Sequence, residues 1–233
     1  MNPNSLDALT LEVADPAAAR DFYARAFGSD LPLEFRASDA PTDGFRGFHV
    51  SLTLAQPADV DSLVETALAA GATAIKPVAK SFWGYGGVLR APDGTIWKVV
   101  SSSKKNKGPA RRDIESIVLL IGCEDIAASK AFYVERGFAI ARSFGRKYVE
   151  FEPGSGSVIL GLLPRKALAK DAGVPIEGSG SHRVVLVGGS TAASDPDGFV
   201  WEPTTGQRTA KPSQEPSTSV ATPTSTRRAR RDG

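Results

Sequence analysis

Two similar strand sequences end in side chains of opposite charge, and these side chains are the first candidates for chemistry. Residues 92–98 read Pro-Asp-Gly-Thr-Ile-Trp-Lys, and residues 196–202 read Pro-Asp-Gly-Phe-Val-Trp-Glu. Each sequence begins with a turn signal and continues as a short β-prone run that contains a tryptophan. The final residue is Lys98 in one and Glu202 in the other. A carboxylate here could ligate a metal ion, whereas an ammonium group has no lone pair to offer.

These strand sequences belong to an internal repeat. Asp15 precedes the pair Phe22-Tyr23 by seven residues, and Asp125 precedes Phe132-Tyr133 by the same seven. The offset of 110 residues between the two motifs indicates a duplicated domain, because solenoid repeats span only about 20–50 residues. The Pro-Asp-Gly turns are offset by only 104 residues, so we expect a shorter second unit.

The hydrophobic pattern predicts an α+β fold in which each unit is a pair of βαβββ modules that form curved mixed sheets. The first unit has strands and two helices, over about 16–27 and 59–70. In the second unit only about eight residues separate a strand at 182–187 from the following turn. We therefore expect that unit to lack a helix and at least one strand. A predicted helix at 165–172 could cover part of the resulting gap.

The repeat and the composition divide the chain into four segments. Residues 5–101 are predicted to form a complete domain, and the polar, basic residues 102–113 a linker. Residues 114–203 are predicted to form the abridged domain. Residues 204–233 are rich in Ser, Thr and Pro with almost no large apolar side chains, which predicts a disordered basic tail.

The charge distribution excludes a specific nucleic-acid function for the folded part. The chain of 233 residues has a net charge of +2, with 41% hydrophobic and 23% charged residues, which is ordinary for a globular protein. The tail carries six basic and two acidic side chains, net +4, so the remainder has a net charge of −2. A basic surface for nucleic acid is therefore not expected outside the tail.

The same sequence predicts a soluble, cytoplasmic protein. No apolar run approaches the roughly 18 residues that a membrane helix needs, and the first residues lack the pattern of a signal peptide. Cys123 is the only cysteine, so no internal disulfide can form.

The order of these motifs resembles the vicinal oxygen chelate superfamily, which includes glyoxalases, bleomycin-resistance proteins and extradiol dioxygenases. The resemblance covers residues 6–203 and rests on the spacing Asp-x6-Phe-Tyr and on the closing Pro-Asp-Gly-x-x-Trp strand, each found twice, with the family's final Glu present only in the second copy. The stretch at 81–87, Ser-Phe-Trp-Gly-Tyr-Gly-Gly, is similar to a glyoxalase-like subgroup. The resemblance implies cup-shaped sheets, paired as a pseudo-dimer within the chain or in a homodimer, and a small-molecule ligand.

The resemblance also implies three metal-ligand positions in each unit, and this chain departs from them. In the first unit the positions hold Ala8, His49 and Lys98, so only His49 matches. In the second unit the first position falls on an apolar residue, Val118 or, with a bulge, Ile117. The other two hold His182 and Glu202, which leaves an incomplete metal site. We expect no cofactor, with a divalent metal at His182 and Glu202 as the alternative.

Five residues are candidates for ligand binding in the first unit. His49 and Lys98 occupy family ligand positions, and Glu12 is predicted on the same face as Lys98. Trp83 and Tyr85, flanked by glycines, could clamp a planar molecule. The alternatives are structural: a Glu12–Lys98 ion pair, aromatic side chains that pack in the sheet, and, in the second unit, a hydrogen bond between Glu202 and His182.

Three functions follow from these alternatives. The favoured hypothesis is a metal-independent small-molecule binding protein, similar to the bleomycin-resistance branch. The second is a metal-dependent lyase, isomerase or dioxygenase with its site at His182 and Glu202. The third is a scaffold or interaction protein whose cups bind nothing.

Overall fold

The computed structural model describes residues 5–82 and 84–204. Trp83 and the predicted tail from residue 205 onwards lie outside this part of the chain. Four helices are described: α1 (Pro16–Phe27), α2 (Pro57–Ala70), α3 (Ile126–Glu135) and α4 (Arg165–Ala172). None of these helices is long and apolar enough to cross a membrane.

The strands alternate with the helices in the predicted order. Those of the first unit are β1 (Ala8–Val13), β2 (Leu33–Ala37), β3 (Thr42–Gly44), β4 (Phe48–Thr53), β5 (Thr73–Ser81), β6 (Gly84–Arg90) and β7 (Ile96–Ser101). Those of the second unit are β8 (Ser116–Cys123), β9 (Ile140–Ser143), β10 (Val149–Phe151), β11 (Ile159–Pro164), β12 (Gly178–Gly180), β13 (Val184–Val187), β14 (Ala193–Ser194) and β15 (Val200–Glu202).

The two units exchange modules, so each main sheet contains strands from both. An eight-stranded sheet has the order β5-β6-β7-β4-β8-β11-β10-β9, and a five-stranded sheet has the order β14-β15-β13-β1-β2. The units join where β4 pairs antiparallel with β8 and where β1 pairs antiparallel with β13. We call the faces that carry the candidate ligand positions the larger cup, on the eight-stranded sheet, and the smaller cup, on the five-stranded sheet.

The repeated motifs start helices and anchor them to the closing strands. Asp15 and Asp125 are the N-caps of α1 and α3, where each carboxylate accepts backbone N–H bonds from the first turn. In the first unit Tyr23 Oη donates to Asp93 at 2.9 Å and accepts from Trp97 Nε1 at 3.1 Å. The second unit has the same kind of network, formed by Tyr133, Asp195 and Trp201. The repeated tyrosine and tryptophan therefore take part in a buried hydrogen-bond network that connects a helix to a strand in each unit.

The abridgement of the second unit is visible in the smaller sheet. Between β13 and β15 the structure describes only the two-residue strand β14, where the first unit has α2, β5 and β6 between β4 and β7. Helix α4 forms as predicted, but it packs on β8 and β11 of the larger sheet and does not cover the gap. Its buried residues Leu168, Ala169 and Ala172 contact a second apolar cluster that includes Val88 and Ile96. This helix therefore closes part of the larger cup.

Candidate functional site

Strand alternation places His49 and Lys98 in the larger cup. On β4 the side chains of Phe48 and Val50 enter the main core, so His49 and Ser51 project to the opposite face. Lys98 on the parallel neighbour β7 pairs in register with Ser51. The two predicted site residues of the first unit therefore share one face of adjacent strands.

Helix α4 adds a carboxylate to this pair. Asp171, in the last turn of α4, accepts two bonds from Lys98 Nζ, at 2.7 Å to each oxygen. Its Oδ2 also lies 3.2 Å from His49 Nε2. His49 is fully buried, whereas the side chains of Lys98 and Asp171 are 28% and 36% exposed. The three side chains therefore form a hydrogen-bonded series that runs from buried His49 to partly exposed Lys98, and we call this series the Lys–Asp–His triad.

The protonation states in the triad follow from burial and charge. Burial lowers the pKa of His49 despite the opposing contact with Asp171, so the imidazole is neutral at pH 7. Partial burial alone would raise the pKa of Asp171, but the hydrogen bond from His49 and the charge of Lys98 outweigh it. They hold the pKa of this carboxyl well below its usual range. Because the ionised carboxylate can only accept, neutral His49 donates through Nε2.

A second lysine fixes the end of α4. Lys76 Nζ on β5 donates to the carbonyl oxygens of Lys170 at 2.8 Å and Asp171 at 2.7 Å. These carbonyls lie in the last turn of the helix, where a cation also interacts favourably with the helix dipole. Asp171 is therefore held in place by side-chain contacts from Lys98 and by backbone contacts from Lys76.

The triad does not fit the metal that the superfamily implies for this position. A divalent ion would need the lone pair of His49 Nε2, which carries the proton donated to Asp171. It would also have to displace the Lys98 ammonium from both oxygens of that carboxylate. The donor set of the larger cup therefore suits an ammonium group and not a metal ion.

Beside the triad the larger cup contains an open cavity of about 540 Å³. Its wall is formed by β4, β5, β6 and β7, with Lys98 and Asp171 at one end. Lys76 and Lys80 contribute two more cations, and Ser51 and Thr53 contribute hydroxyl groups. The volume lies within the range of small-molecule sites.

Tyr85 lines this cavity but is not a free clamp. Its hydroxyl donates to Asp61 Oδ1 of α2 at 2.7 Å, which fixes the ring at the edge of the cavity. That hydrogen bond is the leading cause of a raised Tyr85 pKa. Trp83, the other predicted aromatic, lies outside the described residues, so its prediction stays untested.

The smaller cup contains Glu12, the fifth predicted ligand-binding residue. Arg36 on β2 bridges Glu12 and Glu202, with a distance of 2.9 Å to each carboxylate. The predicted Glu12–Lys98 ion pair is therefore wrong. Its premise was that strands of one sequence unit share a cup, whereas β1 pairs with β13 of the second unit and Lys98 faces the other cup. A cavity of about 410 Å³ adjoins Glu12 and Arg36.

His182 borders the same cavity, but both of its ring nitrogens face backbone carbonyls. Nδ1 lies 2.6 Å from the oxygen of Arg46, and Nε2 lies 3.1 Å from the oxygen of Asp197. The ring also stacks on Phe199, with centroids 4.0 Å apart. Since Glu202 is held by Arg36, the expected hydrogen bond between Glu202 and His182 is wrong. A metal at this pair stays a prediction, and it would require both side chains to leave their present partners.

Within residues 5–82 and 84–204, no group of three or more His, Cys, Asp or Glu side chains is arranged to hold a metal ion. The sequence reasoning missed Asp171 and Lys76 as site residues. The available signal was the amphipathic segment 165–172, whose apolar positions Leu168, Ala169 and Ala172 predict a buried helix face. A helix that lies on a cup must place its remaining polar side chains at the rim.

Comparisons with known proteins agree with this architecture. Residues 8–100 match the family described as Glyoxalase-like domain. Glyoxalase I from Zea mays is 12% identical with a TM-score of 0.56, and 86% of this chain and 92% of that chain are covered. Its V278E mutant gives 14% identity and a TM-score of 0.55 over 86% and 92%. A glyoxalase/bleomycin resistance protein/dioxygenase family enzyme from Burkholderia phytofirmans is 21% identical over 42% of this chain and 98% of its own, with a TM-score of 0.37.

A comparison with curated proteins gave no significant match. The likeness to glyoxalase I shows the fold over most of the chain, including the paired modules and the curved sheets. Together with the family match and the duplicated motifs, it confirms the resemblance found in the sequence. Residues 8–100 thus match a glyoxalase-like domain, and the chain as a whole has the fold seen in glyoxalase I.

Proposed function

We propose that this protein binds a small molecule in the larger cup without a metal ion and without chemical conversion. The observation that carries the proposal is the position of Asp171. It joins His49 and Lys98 at the metal end of the cup while leaving a cavity of about 540 Å³ beside them. The cup therefore keeps room for a ligand but uses its ligand positions for an internal ion pair.

The environment of His49 supports binding over catalysis. A general base must reach the proton that it removes, and the fully buried His49 reaches the cavity only through Asp171. The carboxylate of Asp171 is a weak base, because its pKa lies well below the usual range. These two groups therefore suit a fixed wall of a binding site better than proton transfer.

The enzyme hypothesis at His182 and Glu202 receives less support. The ring of His182 is held between two carbonyl oxygens, and Glu202 is paired with Arg36, which it shares with Glu12. A metal-dependent lyase, isomerase or dioxygenase would need both residues to change partners. The scaffold hypothesis predicts that neither cup binds any ligand, and the experiment below separates it from the binder.

The proposal is tested by thermal-shift measurements with planar aromatic compounds, in the presence and absence of EDTA. We expect at least one compound to raise the melting temperature through binding to the native state, with the same shift in EDTA. The variant Val100→Phe, which fills the cavity of the larger cup, should abolish the shift. Val200→Phe makes the same change beside the cavity of the smaller cup and should leave the shift intact.

Two results would overturn the proposal. One is a stoichiometric divalent metal that copurifies with the protein and is lost in Glu202→Ala, which would favour the enzyme. The other is a ligand shift abolished by Val200→Phe and retained in Val100→Phe, which would move the binding site to the smaller cup. If no compound changes the melting temperature, the result supports the scaffold hypothesis instead.

A further inference from the structure

The cavity of the larger cup carries an excess of positive charge. Its lining includes three lysines, Lys76, Lys80 and Lys98, and one aspartate, Asp171. With the lysines protonated and Asp171 ionised, the lining has a net charge of +2. By contrast, the cavity of the smaller cup is lined by Glu12 and Arg36, whose charges cancel. The cavity of the larger cup is therefore the more positive of the two.

Two of the three ammonium groups retain hydrogen-bonding capacity despite their internal contacts. An ammonium group has three N–H donors. Lys98 uses two of them on the oxygens of Asp171, and Lys76 uses two on backbone carbonyls. One donor remains on each, and the hydroxyl groups of Ser51 and Thr53 line the same cavity. An anionic oxygen that enters here would thus meet several donors at once.

Part of the remaining wall of the cavity is apolar. Val88, Val100 and Pro77 line it from β6, β7 and β5. Gly86 and Gly87 of β6 line it as well, and because they have no side chains they project nothing into the cavity. A planar apolar group can therefore lie against this part of the wall.

We propose that the ligand of the larger cup is a small organic acid with a flat apolar body, whose carboxylate is bound at Lys80 and Lys98. This inference rests on the proposed function and adds the chemical class of the ligand. The bidentate contact between Lys98 and Asp171 shows the recognition chemistry already realised inside the protein, at 2.7 Å to both oxygens. Asp171 thereby fixes Lys98 in position, and Lys80 supplies an exposed charge at the mouth of the cavity.

The test uses matched pairs of acids and their neutral amides, 2-naphthoate with 2-naphthamide and benzoate with benzamide, titrated by isothermal calorimetry. We expect the acid to bind roughly tenfold more tightly than its amide, since charge-assisted hydrogen bonds are stronger than neutral ones. The affinity for the acid should fall with added salt, whereas that for the amide should not.

Lys80→Gln removes one charge without breaking any contact of the Lys–Asp–His triad. It should weaken binding of the acid by about threefold and leave the amide unchanged, since Lys80 is exposed and its charge is screened. Lys147→Gln, an exposed lysine beside β10 near the opposite edge of the same sheet, is the matched control and should change neither.

The outcomes distinguish the two proposals. If acids and amides bind equally, the inferred ligand class is wrong while the proposed binding function stands. If neither member of any pair binds, both are overturned for ligands of this shape. An equal loss of acid binding in Lys80→Gln and Lys147→Gln would show a general charge effect and would also contradict the inferred site.

Discussion

The larger and the smaller cup carry opposite charges at equivalent positions of the repeated strand, and each charge is paired by a different element of the fold. In the larger cup Lys98 on β7 contacts Asp171, which lies on the additional helix α4. In the smaller cup Glu202 at the end of β15 meets Arg36 from the strand β2 of the same sheet. The strand position alone therefore does not determine chemistry. The partner that the rest of the fold brings to that position does, a helix in one cup and a neighbouring strand in the other.

The two ion clusters also differ in burial, which determines how much each contributes to the free energy of unfolding. The larger cup holds the fully buried His49, and Lys98 is 28% exposed. In the smaller cup the side chains of Arg36 and Glu202 are 43% and 42% exposed. Water screens charges at the more exposed cluster, so its pairs contribute little to stability. We expect substitutions in the larger cup to cost more than equivalent ones in the smaller cup.

The largest expected effect concerns the helix that only the larger cup has. Leu168 is fully buried against the second apolar cluster. Leu168→Ala should lower the free energy of unfolding by about 3 kcal/mol, through the lost burial and the cavity left under α4. Urea unfolding followed by circular dichroism measures this change. Leu68→Ala, at a leucine that is 40% exposed on α2, is the control and should cost less than about 1 kcal/mol.

If Leu168→Ala costs no more than this control, α4 is only loosely docked, and the difference between the cups loses its structural basis. A full-sized effect would show that the helix is an integral part of the larger cup. It would also support the assignment of the triad as a fixed wall.

The second-largest expected effect comes from removing the charge of one acid in each cup, Asp171 or Glu202. Asp171→Asn leaves Lys98 without its anion and should destabilise the protein by about 1.5 kcal/mol, less than a fully buried pair because both partners are partly exposed. Glu202→Gln makes the matched change in the smaller cup and should cost below about 0.5 kcal/mol. The same unfolding experiment, repeated in 1 M NaCl, should reduce the small effect further. Equal costs for the two variants would contradict the proposed difference between the cups.

The sequence predicted the fold because its signals are local. The helix starts at Asp15 and Asp125, the strand alternation around His49 and the abridged second unit all depend on residues that lie close together in the chain. The structure confirms the abridgement, and the helices and the strand lie within two or three residues of their predicted boundaries. The common face of His49 and Lys98 was also predictable, because both lie at family ligand positions in the same module.

The triad could not be predicted in the same way. Lys98 and Asp171 lie 73 residues apart, and no spacing in the sequence connects them. The helix that carries Asp171 was predicted with its correct ends, but it was assigned to the gap in the second unit. The exchange of modules, with β4 paired to β8, moved it to the larger cup. The same exchange separated Glu12 from Lys98, so both errors arose from long-range pairing and not from local structure.

The smallest expected effect is a pH dependence of stability that only the larger cup should cause, because it buries a neutral histidine. Burial lowers the pKa of His49 in the native state against the opposing contact with Asp171, while nearby Lys98 and Lys76 lower it further. The unfolded chain takes up a proton near pH 6.5, and native His49 takes it up only at a lower pH, so stability falls as the pH drops through this window. Between pH 7 and 5.5, above the range in which carboxylates titrate, wild type should lose up to about 1 kcal/mol more than His49→Gln. Urea unfolding at both pH values measures the difference. Equal losses of stability in wild type and His49→Gln would show that native His49 takes up a proton in this range, and therefore that α4 does not keep it buried.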